Sequence, residues 1–172
     1  MRTLSLFWQA LLITGCLCYV APSQPPPSSL YVSGEGHFAI ELAPTPTAER
    51  RILPASGTTG GMQYFWQTPD GDFFVSYYDD SPKPTDPKKE LDAIANNYLS
   101  GDNKNGGKQL ERKALTLDQN IGLEIRASLQ TKEVMVLRYY LVEARVFILS
   151  TRLKETGEKQ LKVLDSFRFA TK

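Results

Sequence analysis

Residues 134–153, VMVLRYYLVEARVFILSTRL, read as two β-strands joined by a tight connection at Glu143-Ala144-Arg145. The run is dense in β-branched and aromatic residues, which fit a pleated and covered surface. Side chains alternate across a strand, so Met135, Leu137, Tyr139 and Leu141 share one face, while Val136, Arg138, Tyr140 and Val142 share the other. Val146, Phe147, Ile148 and Leu149 make the second strand apolar on both faces before Thr151 and Arg152 turn it mixed. A strand that is apolar on both faces needs cover on both, so this hairpin belongs in the middle of a sheet with layers packed over it.

The flanking sequence supplies the rest of the sheet. Met62-Gln63-Tyr64-Phe65-Trp66-Gln67 and Phe73-Phe74-Val75-Ser76-Tyr77-Tyr78 are separated by Thr68-Pro69-Asp70-Gly71. Proline presets φ and glycine supplies φ > 0, so this is a second hairpin. Phe38, Ile40 and Leu42 alternate in a first strand within residues 31–43, which Pro44 and Pro46 stop. Residues 50–53 form a short candidate strand, and residues 57–61, GTTGG, read as a flexible loop. Residues 110–117 and 122–129 are two more strands turned at Asp118-Gln119-Asn120.

Two helices are predicted. Thr85 or Asp86 caps the first, with Pro87 in its first turn. Leu91, Ile94, Ala95, Tyr98 and Leu99 then recur at helical spacing and give one stripe to pack on the sheet. Ser100-Gly101 closes it, and residues 102–107, DNKNGG, form a surface loop. Residues 155–165 form a shorter helix with Leu161 and Leu164 inward, and Phe167-Arg168-Phe169 returns as an edge strand. The order is α+β, with a central, largely antiparallel sheet packed by helices on its faces.

The run Phe73-Phe74-Val75-Ser76-Tyr77-Tyr78, the helix around Glu90-Leu91, the Arg138-Tyr139-Tyr140 strand and Arg145-Val146-Phe147-Ile148-Leu149 occur in an order similar to the PsbP family. The closing Val163-Leu164-Asp165-Ser166-Phe167 also resembles that family's last helix and strand. The resemblance covers residues 38–169 and rests on hydrophobic pattern. It implies an α/β/α sandwich of the kind found in extrinsic subunits of photosystem II, whose cyanobacterial members are lipid-anchored on the lumenal side. Many bacterial lipoproteins of unassigned role share this look. The metal sites of the family use His and acidic residues, and they do not map onto this chain.

The amino-terminal segment gives an address. Met1-Arg2 and the apolar run 4–15 suit a signal-peptide core and are too short to span a bilayer, which needs about 20 apolar residues. Ile13-Thr14-Gly15-Cys16 resembles a bacterial lipobox, with small residues leaving the Cys16 thiol accessible to a lipid transferase. The alternative is simple secretion after a cut near Ala21, against which Pro22 argues. Residues 22–29, PSQPPPSS, form an extended spacer. The expected layout is a signal peptide at 1–15, a lipidated Cys16 with its spacer at 16–30, and a single domain at 31–172.

Composition excludes several functions. The chain of 172 residues holds 20 basic and 19 acidic side chains, and removal of residues 1–15, which contain Arg2 and no acid, leaves 19 of each. Nucleic-acid binding requires a clustered basic excess that is missing here. Cys16 and Cys18 lie outside the folded part, so it stands on its hydrophobic core without crosslinks. The sole histidine, His37, would have to anchor any nucleophilic triad, and no cysteine lies in the domain, so no catalytic residue is assigned. The glycines at 101–107 fail the EF-hand spacing in both registers, and GTTGG lacks a phosphate-loop pattern. Asp79, Asp80 and Asp86 read as solvated acids. No metal or cofactor is expected.

The aromatics carry what remains. Trp66, Tyr77, Tyr78 and Tyr140 are the candidate partner or ligand surface if any of them face outward, although most paired aromatics in a sheet belong to its core. The expectation is a non-enzymatic extracytoplasmic module, held to a membrane by its N-terminal lipid and docking on a membrane-associated complex. The other reading is a carrier or sensor holding a small apolar ligand between sheet and helix.

Overall fold

The computed structural model describes residues 29–42, 49–53, 59–69, 71–79, 83–100, 108–129, 131–153 and 157–170. The expected signal segment, Cys16, the spacer up to residue 28 and the loop at 102–107 lie outside the described residues.

In chain order the elements are β1 (Ser29–Ser33), β2 (Phe38–Leu42), β3 (Glu49–Leu53), β4 (Thr59–Thr68), β5 (Gly71–Asp79), α1 (Pro87–Ser100), β6 (Lys108–Leu117), β7 (Asn120–Ser128), β8 (Val134–Val142), β9 (Arg145–Leu153), α2 (Glu158–Asp165) and β10 (Arg168–Phe169). Seven strands form one antiparallel sheet in the order β3-β4-β5-β9-β8-β7-β6. β9 is its middle strand, and the β8–β9 hairpin sits where its doubly apolar sequence requires. The joint between β5 and β9 pairs Tyr77 with Phe147 and Asp79 with Arg145, uniting two meanders that are far apart in sequence.

Local chemistry explains the connections. Thr68 pairs with Gly71 across the β4–β5 turn, and Thr68 Oγ1 bonds the Gly71 backbone in both directions. At the β6–β7 turn Asp118 and Gln119 both take positive φ, 49° and 67°, the signature of a primed two-residue turn. Glu143 takes φ 58° at the β8–β9 turn, which does without glycine. Asp86 Oδ1 accepts from the Lys89 N–H at 3.0 Å and caps α1 as expected.

A second sheet, β1-β2-β10, covers one face of the first. Between them Phe38, Ile40 and Leu42 meet Tyr64, Trp66, Phe73, Val75, Phe147 and Leu149, with Leu164 and Phe167 completing the layer. On the opposite face α1 sets Leu91 and Ala95 against Leu123, Ile125, Leu137, Tyr139 and Val146. The α+β class and its mostly antiparallel sheet stand, but the expected pair of helical layers is corrected. Helix covers one face, while a three-stranded sheet with α2 beside it covers the other. Strands β2 and β10 are too short and apolar to stand alone, so they pair with each other and lie on the large sheet. Thr59, Gly60 and Gly61, read from sequence as loop, belong to β4 beside a register shift. β1 begins at Ser29, inside the stretch expected to be spacer.

Candidate functional site

The geometry of cover creates the site. Seven strands at about 4.8 Å spacing make a sheet about 29 Å wide, whereas one helix with its side chains is about 10–12 Å across. α1 lies over β7 and β8. Among the described residues no helix lies over β4 and β5 on the same face, where alternation places Gln63, Phe65, Phe74, Ser76, Tyr78, Ile148, Ser150 and Arg152, with Tyr78 and Ile148 at the edge of the α1 cluster. The register arranges them in rows: Gln63 opposite Ser76 and Ser76 opposite Ile148, then Phe65 opposite Phe74 and Phe74 opposite Ser150. The Phe65 and Phe74 rings stack at 4.7 Å.

Where this floor meets the last turn of α1 there is a cleft of about 400 Å³. Phe74, Ile148 and Leu137 give it an apolar base, with Gln63, Ser76 and Ser150 as polar points. Tyr98 and Leu99 from α1 form one wall, and Arg152 stands at the rim. Gln63 Nε2 donates to Ser76 Oγ at 3.2 Å, and the Tyr98 hydroxyl donates to Met135 Sδ at 3.8 Å. Burial pushes the Tyr98 hydroxyl pKa up, and the neighbouring Arg152 guanidinium pulls it partly back. Beneath, the fully buried Tyr139 hydroxyl has no hydrogen-bond partner among the described residues. Its pKa is pushed up by burial, with Tyr98 and Tyr78 adding to the effect. Amide, hydroxyl and guanidinium groups around an apolar base suit holding and orienting a small molecule.

Of the four aromatics expected to form a surface, Tyr78 alone lines this cleft. Alternation turns the other three toward the second sheet, where paired aromatics of a covered sheet belong. Trp66, at 0% exposure, stacks on Tyr64 at 5.9 Å and meets Tyr31 edge-on at 5.1 Å. Tyr140, at 4%, stacks on Phe167, and Tyr77 is buried beneath the Arg145 guanidinium, 4.7 Å from its ring centre. None of the three is available to a partner. Sequence reasoning placed Tyr98 in the helix stripe and Arg152 in a mixed strand end, but joined neither to Tyr78 because the β5–β9 pairing was not visible.

Other polar groups tie elements of the fold together. Arg145 grips Asp79 through Nε at 2.6 Å and Nη2 at 3.0 Å, and Nη1 donates to the Glu35 carbonyl. That guanidinium holds the Asp79 carboxyl below the usual carboxylate range. His37, half-buried at φ 54°, lines a shallower recess of about 390 Å³ with Asp79, Glu143 and Arg145. On the second-sheet side Arg138 Nε donates to Glu124 Oε2 at 2.7 Å, and its Nη2 lies 2.7 Å from Asp165 Oδ1. The bridge thereby ties α2 to the large sheet.

Among the described residues, no group of three or more His, Cys, Asp and Glu is placed to hold a metal ion, and no helix is long and apolar enough to cross a membrane. No protein-family model matches the chain, and no curated protein matches it in sequence. Similarity appears in three dimensions. The solution structure of cyanobacterial PsbP from a Synechocystis species aligns over 90% of this chain and 99% of its own, with a TM-score of 0.56 at 9% identity. The fold is therefore PsbP-like. A Pseudomonas aeruginosa protein of unknown function, described as a putative regulator, aligns over 77% of this chain and 87% of its own, with a TM-score of 0.43 at 14% identity. That likeness is too loose to carry an argument.

Proposed function

We propose that this chain is a non-enzymatic, extracytoplasmic binding module, held to a membrane by lipid on Cys16 and docking on a membrane-associated protein complex. The observation that supports it is the order of parts: Ile13-Thr14-Gly15-Cys16, then a proline-rich spacer, then a domain with a PsbP-like fold. A lipid on Cys16 supplies attachment, and an extended spacer of about 3.1 Å per residue holds the domain off the surface. The test is affinity isolation of the tagged chain from gently solubilised membranes of its source, beside a Cys16→Ala control. A stoichiometric membrane partner that is lost in the control is expected. Recovery of the protein alone would refute docking, and an unlipidated Cys16 would refute the anchor.

The cleft favours a second reading, a carrier or sensor for a small ligand held between sheet and helix. At about 400 Å³ it falls within the size range of small-molecule sites, and its base is apolar with a few polar points. Here Tyr78 and Tyr98 take the place that Trp66 and its neighbours cannot.

A further inference from the structure

Resting on the second reading, we propose that the cleft between α1 and the β4–β5 side of the sheet is a site for an aromatic monocarboxylate, its ring lying over Phe74 and its carboxylate held at Arg152 and Tyr98. Charge complementarity carries the assignment. Among the described residues lining the cleft Arg152 is the one charged side chain. Its ion pair with Glu133 is long, 3.5 Å, and both partners are about half exposed, 52% and 42%. A pair of that kind contributes little and can be exchanged for a better acceptor. Guanidinium and carboxylate match in a bidentate geometry that amides and hydroxyls cannot reproduce.

Two donors flank Met135. Arg152 lies directly across the β8–β9 ladder from Met135, and the Tyr98 hydroxyl reaches the sulfur of the same Met135. Sulfur is a weak acceptor, so a carboxylate oxygen at that position takes the phenolic hydrogen bond as well as the guanidinium. Beside it stand the Phe74 ring, backed on one face by the Phe65 ring at 4.7 Å, and the Ile148 side chain. A planar ring system matches the Phe74 ring by offset stacking. The C-terminal end of α1 adds a limit. It carries partial negative charge, and its last turn contains no basic residue. A single negative charge is tolerated beside Arg152, whereas a phosphate dianion meets repulsion from the helix end.

The test uses the full chain and three probes of equal ring size, naphthoate, naphthylmethanol and naphthyl phosphate, followed by amide chemical shifts. Naphthoate is expected to bind most tightly of the three and to shift amides of β5, β9 and the last turn of α1. Arg152→Gln should weaken naphthoate about tenfold and leave naphthylmethanol unchanged. Phe74→Ala should weaken both. If naphthylmethanol binds as well as naphthoate and Arg152→Gln moves neither, the carboxylate assignment is overturned while the ligand-cleft reading stands. Tighter binding of naphthyl phosphate overturns the monoanion assignment. If none of the three binds, the ligand-cleft reading itself fails.

Discussion

Gly122 is the position where one added methyl group tests the packing of the second-sheet face. A Cβ built there lies 2.6 Å from both Cδ1 and Cε1 of Tyr140, and 2.9 Å from the Tyr139 carbonyl oxygen. Carbon atoms pack best at about 3.5–4.0 Å, so the ring must retreat by about 1 Å. It has nowhere to go. Tyr140 is stacked on Phe167 at 6.0 Å and 10°, with Phe169 edge-on at 5.9 Å, and Phe167 is itself pressed on Phe38 and Phe147. Overpacking a core of this kind costs about 1–3 kcal/mol. The carbonyl contact places Gly122→Ala near the top of that range, and relief of glycine's backbone entropy returns about 0.5–1 kcal/mol. A net loss of about 2 kcal/mol is expected, equivalent to a fall of about 4–8 °C in Tm for a domain of this size. The assay is urea unfolding of four proteins: wild type, Gly122→Ala, Tyr140→Leu and the double variant. Leucine ends short of the ring's Cε1 and can rotate aside, so Gly122→Ala should cost under about 1 kcal/mol in the Tyr140→Leu background. A Gly122→Ala protein as stable as wild type, or an equal cost in both backgrounds, would refute the reasoning.

Three further outcomes follow from the same geometry. Arg138→Met removes the main partner of the buried Glu124 carboxylate, which keeps only Arg126 at 3.1 Å, so stability should fall by about 3 kcal/mol in denaturant titration. Adding Glu124→Gln should recover at least part of that loss, and no recovery would mean the charges are not coupled. Gln119→Gly supplies the residue that suits the positive φ of the β6–β7 turn after Asp118, and should raise stability by about 0.5–1 kcal/mol, with a lower midpoint speaking against a primed turn. Burial pushes Tyr77 up to about 12 and raises Tyr98, Tyr139 and Tyr140 as well. A raised folded-state pKa means that this stability is fully present below the ordinary tyrosine value of about 10 and is lost as pH climbs from there through about 12. Tyrosinate absorbance should therefore rise together with unfolding; gradual ionisation near 10 with the fold intact would contradict it.

Much of the architecture is legible in the sequence, because it depends on local chemistry. Val146-Phe147-Ile148-Leu149 is apolar on both faces, which forces β9 to the middle of its sheet. Asp86-Pro87 and the stripe from Leu91 to Leu99 fix the start and the buried face of α1. Proline and glycine around residue 70 fix the β4–β5 hairpin. The β8–β9 connection at Glu143-Ala144 is legible as well, but the positive φ of Glu143 is not, since a turn without glycine leaves no compositional mark for it.

Alternation alone determined that Tyr77 and Tyr78 point to opposite faces of β5, and that Trp66 and Phe65 do so on β4. Which face has a lid is a different kind of fact. It depends on β5 pairing with β9, on β1, β2 and β10 gathering into a second sheet, and on one helix being too narrow for seven strands. Those are contacts between segments distant in the chain, so no local pattern encodes them. The sequence thus settled the strands, their alternation and the helices, while the tertiary structure decided that Trp66, Tyr77 and Tyr140 are core and that Tyr78, Tyr98 and Arg152 share a cleft. The physical reason is that burial depends on what lies across from a face, and the strand itself does not carry that information.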